Sequence, residues 1–517
     1  MPRKPKAKDG LTARERVALY EAQRAQKGAE MSREDKTDAI QGNNEQNDAL
    51  SVVKQHKTAT IEVKPLPKPQ HATVRVDFSL DTGEIKPMHG MCNGPVSYGA
   101  DLSDLFRQIG VPSVRFSGTD TAISALAVDI SRIFKNPDAD PHDENNYDFA
   151  CTDDYVRAAY NCGARVIFRL GESYDREGRK KVSLPKNIDT FCEVCANVAR
   201  HYNDYWAHGY AYGIERFEIW GQDPESDNAT RAASFELYRK LAGVLKLYDP
   251  SIKVGGMCFE GGSDVRDFLR FCRKTHAPLD FITFSLFEGT PTDAAEKLNS
   301  VISPLQNLGF SDTEIIIGEW AYIANNVDKS TNIARKHNES KNEKNAYAAR
   351  LFADQAGIKG AAYALSFMLE VSAIPQVWGA HLYDAQPAVS PWCPVCDRFG
   401  QPQKTFYAFK MFGELYRARR AVYCVSEQAP GYAHSGVYAS AAMAASGECY
   451  VLISSFGGCG VVDLRLDGIP ESLYTAEIYI LDGVKSFERG DSVQLTGAKK
   501  RLLLNISEYG AVLVKLF

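Results

Sequence analysis

The stretch Glu314-Ile-Ile-Ile-Gly-Glu-Trp320 sets three consecutive isoleucines between two carboxylates. An apolar run without in/out alternation describes a strand covered on both faces, as in a parallel sheet flanked by helices. A carboxylate at the mouth of such a strand is costly unless a site uses it, which singles out Glu319. Seven more short apolar runs share this character. They are Gly90 to Val96, Ser113-Val-Arg-Phe116, Ala164 to Leu170, Phe217-Glu-Ile-Trp220, Lys253 to Met257, Phe281 to Phe287 and Ala361 to Phe367. Segments with apolar residues at helical spacing lie between them, among them Ser234 to Leu247 and Asn345 to Ala356. Eight buried strands alternating with helices predict an α/β fold, a (β/α)8 TIM barrel spanning residues 89–415.

Both flanks of this region read differently. Ala72 to Leu80 alternates apolar and polar residues, so 71–88 is expected to supply a strand to a second domain. That domain, residues 416–517, carries runs at Gly436 to Ser440, Cys449 to Ser455, Val461 to Leu466, Tyr474 to Leu481, Arg501 to Ile506 and Ala511 to Phe517. Turn residues separate them, as in a small accessory β-sandwich. Residues 1–70 are polar and rich in lysine and glutamine, the composition of a disordered arm that buries too little apolar surface to offset its ordering entropy. A polar insertion from Asn325 to Lys344 follows the seventh strand, on the face where barrel active sites are built.

A net charge of −5 over 517 residues gives no reason to expect nucleic acid or a membrane surface as a partner. No run reaches the roughly 20 apolar residues of a membrane span, and no apolar stretch follows the basic start, so a cytoplasmic location is expected. The chain has 12 cysteines. Cys192 and Cys195 sit three apart in a helical pattern beside Phe191 and Val198 and read as core. Cys393 and Cys396 lie in a loop, Trp-Cys-Pro-Val-Cys-Asp, and are the better pair for metal or redox chemistry. Neither pair compels a metal, and no cofactor is expected.

Barrel enzymes place their chemistry where strands end. The polar residues there are Arg115 and Ser117 on strand two, Arg169 and Glu172 on strand three, and Gln222 and Asp223 on strand four. Strand six offers Ser285 and Glu288, strand seven Glu319, and strand eight, on this assignment, Glu370.

From about residue 72 onward the chain resembles glycoside hydrolase family 39, which includes β-xylosidases and α-iduronidases. The carrying residues are His89-Gly-Met-Cys-Asn-Gly-Pro95, Val114-Arg-Phe-Ser-Gly118, Phe217-Glu-Ile-Trp220, Val254-Gly-Gly256, Phe268-Leu-Arg-Phe-Cys272, Leu279-Asp-Phe-Ile282 and Gly318-Glu-Trp320. The resemblance implies Glu319 as the nucleophile of a retaining glycosidase, a carbohydrate as substrate or ligand, and a sugar subsite shaped by Arg115, Trp220, Trp320 and Glu370. It also exposes departures. Gln222 stands where the family has its acid/base Glu, and an amide can hydrogen-bond but cannot give and retake a proton. Gly221 replaces an Asn that holds the sugar 2-hydroxyl, and Ser285-Leu-Phe287 replaces a His before an aromatic residue. Asp223, then Glu225, Glu172 and Glu288, are candidates for a displaced acid. Two readings follow: a glycosidase with an altered acid/base, or a carbohydrate-binding protein that has lost catalysis. A second carboxyl about 5–5.5 Å from Glu319 would favour the retaining enzyme. A weaker third reading makes the chain an interaction protein that uses its charged arm.

Overall fold

The computed structural model of the chain describes residues 71–97, 100–116, 128–172, 184–219, 228–259, 262–323, 341–386, 393–427, 436–458, 460–469, 474–496 and 500–517. All of them belong to one of two units, Pro69–Phe517; the arm falls in the other, Met1–Lys68, outside the described residues. The stretch from Trp220 to Glu225 also lies outside the described residues, as does the insertion after strand seven up to residue 340, its last four residues opening the helix Lys341–Ala356.

In chain order the strands begin with β1 (His71–Glu84), β2 (Gly90–Cys92), the short pair β3 (Val96–Ser97) and β4 (Ala100–Asp101), and β5 (Ser113–Arg115). Then come β6 (Arg165–Leu170), β7 (Arg216–Ile219), β8 (Lys253–Phe259), β9 (Phe281–Glu288), β10 (Glu314–Tyr322) and β11 (Val377–Leu382). β2 and β5 to β11 hydrogen-bond in parallel and close into an eight-stranded barrel in the order β10-β11-β2-β5-β6-β7-β8-β9. The glycines of strand five make close packing possible. A Cβ on Gly255 would stand 2.1 Å from the Phe281 carbonyl oxygen, and one on Gly256 would stand 2.5 Å from that of Ile219.

The second domain adds β12 (Arg420–Glu427), β13 (Gly436–Met443), β14 (Cys449–Phe456), β15 (Val461–Asp467), β16 (Tyr474–Leu481), β17 (Ser486–Leu495), β18 (Lys500–Asn505) and β19 (Tyr509–Leu516). With β1 they form a sheet in the order β17-β16-β19-β14-β13-β12-β1-β15-β18. β1 pairs antiparallel with β12 and parallel with β15, so the segment before the barrel lies among strands that follow it. Its alternating residues Ala72, Val74, Val76 and Phe78 are buried with Val462, Leu464 and Val514 in a core separate from that of the barrel.

In the second domain β12 and β17 are strands that the sequence runs did not include, and in the barrel one element departs from expectation. Ala361 to Phe367 is not the eighth strand; it lies inside a helix, Ile358–Ser372, and the strand is β11. This helix packs on β13, β14 and β19 of the second sheet as well as on the barrel. Ser366 Oγ donates to Ser454 Oγ at 2.9 Å, and the Tyr363 and Phe456 rings lie 5.7 Å apart. Buried without a break from Gly360 to Leu369, the helix has no polar face to set off an apolar stripe, so its sequence reads as an apolar run.

Candidate active site at the C-terminal mouth of the barrel

Inside the barrel the residues change from apolar to polar along the strands. Near the strand starts Ile167, Phe281 and Ile316 form a small cluster of their own with Trp378. Further along, His381 contacts Ser113 Oγ through Nε2 at 2.9 Å and the Ile317 carbonyl through Nδ1 at 3.2 Å. Burial pulls the pKa of this imidazole down to about 3, so it is neutral. Next comes Arg115 at the end of β5, 2% exposed.

Arg115 organises three strands. Its Nε and Nη2 donate to the two oxygens of Glu218 on β7, at 2.6 and 2.8 Å, and its Nη1 donates to Glu319 Oε1 on β10 at 2.9 Å. Glu218 is fully buried and accepts a third bond from Thr283 Oγ1 on β9 at 2.7 Å. Burial opposes the charge on Arg115, but Glu218 and Glu319 outweigh it, so the guanidinium is held protonated well above its ordinary range. Gly318 makes the arrangement possible: a Cβ there would stand 3.1 Å from Arg115 Nε.

Gly318 also aims the two residues that follow it. Ile315 and Ile317 pack in the outer core and Ile316 inside the barrel, so simple alternation would send Glu319 outward and Trp320 inward. Instead the pairing of β10 with β9 passes from Ile317↔Phe284 to Glu319↔Ser285, leaving Gly318 as an extra residue. This β-bulge reverses the alternation. Glu319 reaches Arg115 inside, and Trp320 enters the layer between strands and helices, its ring 4.4 Å from Phe367 and 6.0 Å from Phe409. At 1% exposure Trp320 has no surface to offer a sugar, so its expected place in the subsite is corrected.

The other expected residues divide. Ser285 is buried, its Oγ 3.2 Å from Cys258 Sγ, and Phe287 lies edge-on to Tyr383 with centroids 6.1 Å apart. Burial pushes the Cys258 thiol up to about 12 and the Cys92 thiol, which donates to the Gly318 carbonyl at 2.9 Å, well above its usual range. Both are neutral neighbours of Glu319. Glu370 sits near the end of the helix Ile358–Ser372 rather than on a barrel strand, so it leaves the subsite. Arg169 pairs with Asp129 at 2.6 Å. Among the displaced-acid candidates, Glu288 pairs with Lys297 at 3.1 Å, and both Glu172 oxygens accept from Ser131, at 2.8 and 2.6 Å. Burial nevertheless raises Glu172 to about 6. Ser117, Trp220, Gly221, Gln222, Asp223 and Glu225 lie outside the described residues, and with them the distance from Gln222 to Glu319.

Glu218 was missed by the sequence reading. The signal for it was present, since a carboxylate at an inward position of an apolar barrel strand requires a buried cation, and Arg115 was the available one. Cys393 and Cys396 are buried with their sulfurs 4.0 Å apart, and among the described residues no group of three or more His, Cys, Asp or Glu side chains could hold a metal ion. No helix of the described residues is long and apolar enough to cross a membrane. A cavity of about 380 Å³ lined by Arg165, Arg216 and Trp378 lies at the starts of β6, β7 and β11, the end of the barrel away from Glu319.

Comparison with known proteins gives this geometry a family context. The profile of glycosyl hydrolases family 39 matches residues 129–304. A β-xylosidase of Geobacillus stearothermophilus is 33% identical over 113 residues, 20% of this chain and 21% of the relative, so the match spans about a fifth of that enzyme's length. Three solved structures share the fold over most of both chains. A glucosidase from Croceicoccus marinus superposes with a TM-score of 0.68 at 19% identity, covering 86% of this chain and 98% of its own. A family 39 enzyme from Xanthomonas axonopodis pv. citri gives 0.61 at 15% identity, covering 87% and 97%. A monomeric β-xylosidase from Caulobacter crescentus gives 0.61 at 13% identity, covering 86% and 99%. The fold is that of barrel glycosidases with an accessory β-domain, and the chain resembles glycoside hydrolase family 39.

Proposed function

We propose that the protein is a glycosidase acting on β-xylosides or related glycosides by a retaining mechanism, with Glu319 as nucleophile and Gln222 in the acid/base position. The observation that carries this reading is the state of Glu319. It sits at the mouth of the seventh strand, one oxygen bonded to Arg115, with its side chain 19% exposed. A carboxylate held through one oxygen keeps the other for attack on an anomeric carbon. β-Xyloside is the first choice of substrate because relatives by sequence and by fold are β-xylosidases.

In the first step a Glu319 oxygen forms a bond to the anomeric carbon as the bond to the leaving oxygen breaks. Gln222 supplies no proton, so leaving groups stable as anions depart and alkoxides do not. In the second step water displaces Glu319 without a general base. The glycosyl-enzyme therefore accumulates.

The test is a set of aryl and alkyl xylosides, followed by glucuronides and iduronides. Dinitrophenyl glycosides should be cleaved far faster than alkyl ones, with a burst, a mass increase of one glycosyl unit on Glu319 and acceleration by azide. Gln222→Glu should narrow the gap between leaving groups. Glu319→Gln should abolish turnover in a folded protein. Sugar binding without burst, adduct or azide rescue would replace this reading with the second one, a carbohydrate-binding protein without catalysis, which the amide at Gln222 favours.

A further inference from the structure

We infer that Glu218 is a positioning residue: by taking the Nε and Nη2 donors of Arg115 and sharing its charge, it keeps Glu319 from being the sole partner of that guanidinium and so keeps Glu319 nucleophilic. The inference rests on the proposed role of Glu319 and goes beyond it by assigning a task to a carboxylate that cannot itself meet a substrate.

The geometry leads there in three steps. A guanidinium offers five donors, and its preferred partner is a carboxylate that takes two of them side by side. Here Glu218 takes Nε and one proton of Nη2, while Nη1 donates to Glu319 and, at 3.4 Å, to the Gly318 carbonyl. Were Glu218 absent, Nε and Nη2 would lose their carboxylate and Glu319 would be the carboxylate left on the guanidinium. Charge works the same way. Arg115 is shared between two carboxylates, so one negative charge remains for the pocket; with Glu218 neutral, the guanidinium would be matched to Glu319 alone. Glu218 is itself held from the far side by Thr283 Oγ1, which accepts from the Cys258 backbone N–H at 2.8 Å. Strands two, four, five and six are thus all tied to one oxygen of the seventh.

The titratable and charged groups around Glu319 and Arg115 among the described residues come from four other barrel strands and the segment after the last of them. They are Glu218 on β7, Cys258 on β8, Cys92 on β2, and Asp384 and His381 at and after β11. Burial holds both thiols and the imidazole neutral near pH 7. Asp384 is a second buried carboxylate of this neighbourhood, but Glu218 is the one bonded to Arg115, which it shares with Glu319. Removing its charge leaves Arg115 to stabilise the Glu319 carboxylate more strongly, which lowers the Glu319 pKa. A packing defect alone has no reason to move it in that direction.

The experiment compares the full-length wild type with Glu218→Gln by carbon NMR titration of the glutamate carboxyls, the Glu319 signal being assigned with Glu319→Gln. The titration needs no turnover, so it decides the inference even if the glycosidase reading fails. Expected is a downward shift of Glu319 by about one pH unit in Glu218→Gln. Where the wild type cleaves dinitrophenyl xyloside, the acid limb of kcat/KM should move down by the same amount while kcat falls about 10- to 100-fold with little change in KM. An unmoved or raised Glu319 would overturn the inference, whatever happens to the rate. If Glu218→Gln does not fold, Thr283→Val serves instead. Without the hydroxyl donor, Glu218 draws the guanidinium toward itself, so Glu319 should titrate a few tenths of a unit higher; no shift, or a lower value, would overturn the inference as well.

Discussion

The strand β10 and the helix Ile358–Ser372 look alike in the sequence and differ in everything else. Each is a largely apolar run followed by a glutamate, and each is buried along nearly its whole length. One is a barrel strand that ends in the candidate nucleophile. The other is a helix wedged between the barrel and the second sheet, whose glutamate has no part in the site. Loss of periodicity reports burial on all sides and leaves the type of element open. Composition was the better arbiter. Ile315, Ile316 and Ile317 are β-branched, whereas Ala361-Ala-Tyr-Ala-Leu-Ser-Phe-Met-Leu369 has no β-branched residue and is built from good helix formers.

The comparison can be broken most severely in the helix. Ala364 is 1% exposed and faces neither solvent nor a cation, so Ala364→Asp should cost at least about 4 kcal/mol. Because the helix touches both domains, urea unfolding should show barrel and sandwich lost together. Separate transitions, with the sandwich unaffected, would mean that the helix does not join them.

On β10 the contrast runs between adjacent residues. Trp320→Ala should cost about 3–5 kcal/mol, because the ring packs against Phe367 and Phe409 of the helix layer. Glu319→Gln should cost less than about 1 kcal/mol, since the carboxylate reaches the pocket. Chemical denaturation of both variants measures the difference. A stable Trp320→Ala protein with weakened sugar affinity would put the indole back in the pocket and remove the bulge from the argument.

The smallest effect expected belongs to the polar contact that joins the helix to the sheet. Ser366→Ala removes the hydroxyl that donates to Ser454, while Ser454 keeps its own bond to the Ala362 carbonyl at 3.3 Å. A loss of about 1 kcal/mol is expected in thermal or urea unfolding. A loss several times larger would show that the contact is part of a wider network.

By itself the sequence determined the fold class and singled out Glu319 as the candidate nucleophile. Seven of the eight barrel strands were legible because burial on both faces leaves a signature that does not depend on partners. The alternating run from Ala72 to Phe78 likewise described a strand with one covered face, and Glu319 stood out because a charge after three isoleucines is too costly to be idle. Tertiary structure decided the rest. Which run is the eighth strand depended on a sheet packed against the helix from a distant part of the chain. Which way Glu319 and Trp320 point depended on one extra residue in a register between two strands, and period-two reasoning cannot locate such a bulge. That Glu218, Arg115 and Glu319 form one unit, though they stand on the fourth, second and seventh strands, required the barrel to close, because only closure brings side chains so far apart in sequence to within 2.9 Å.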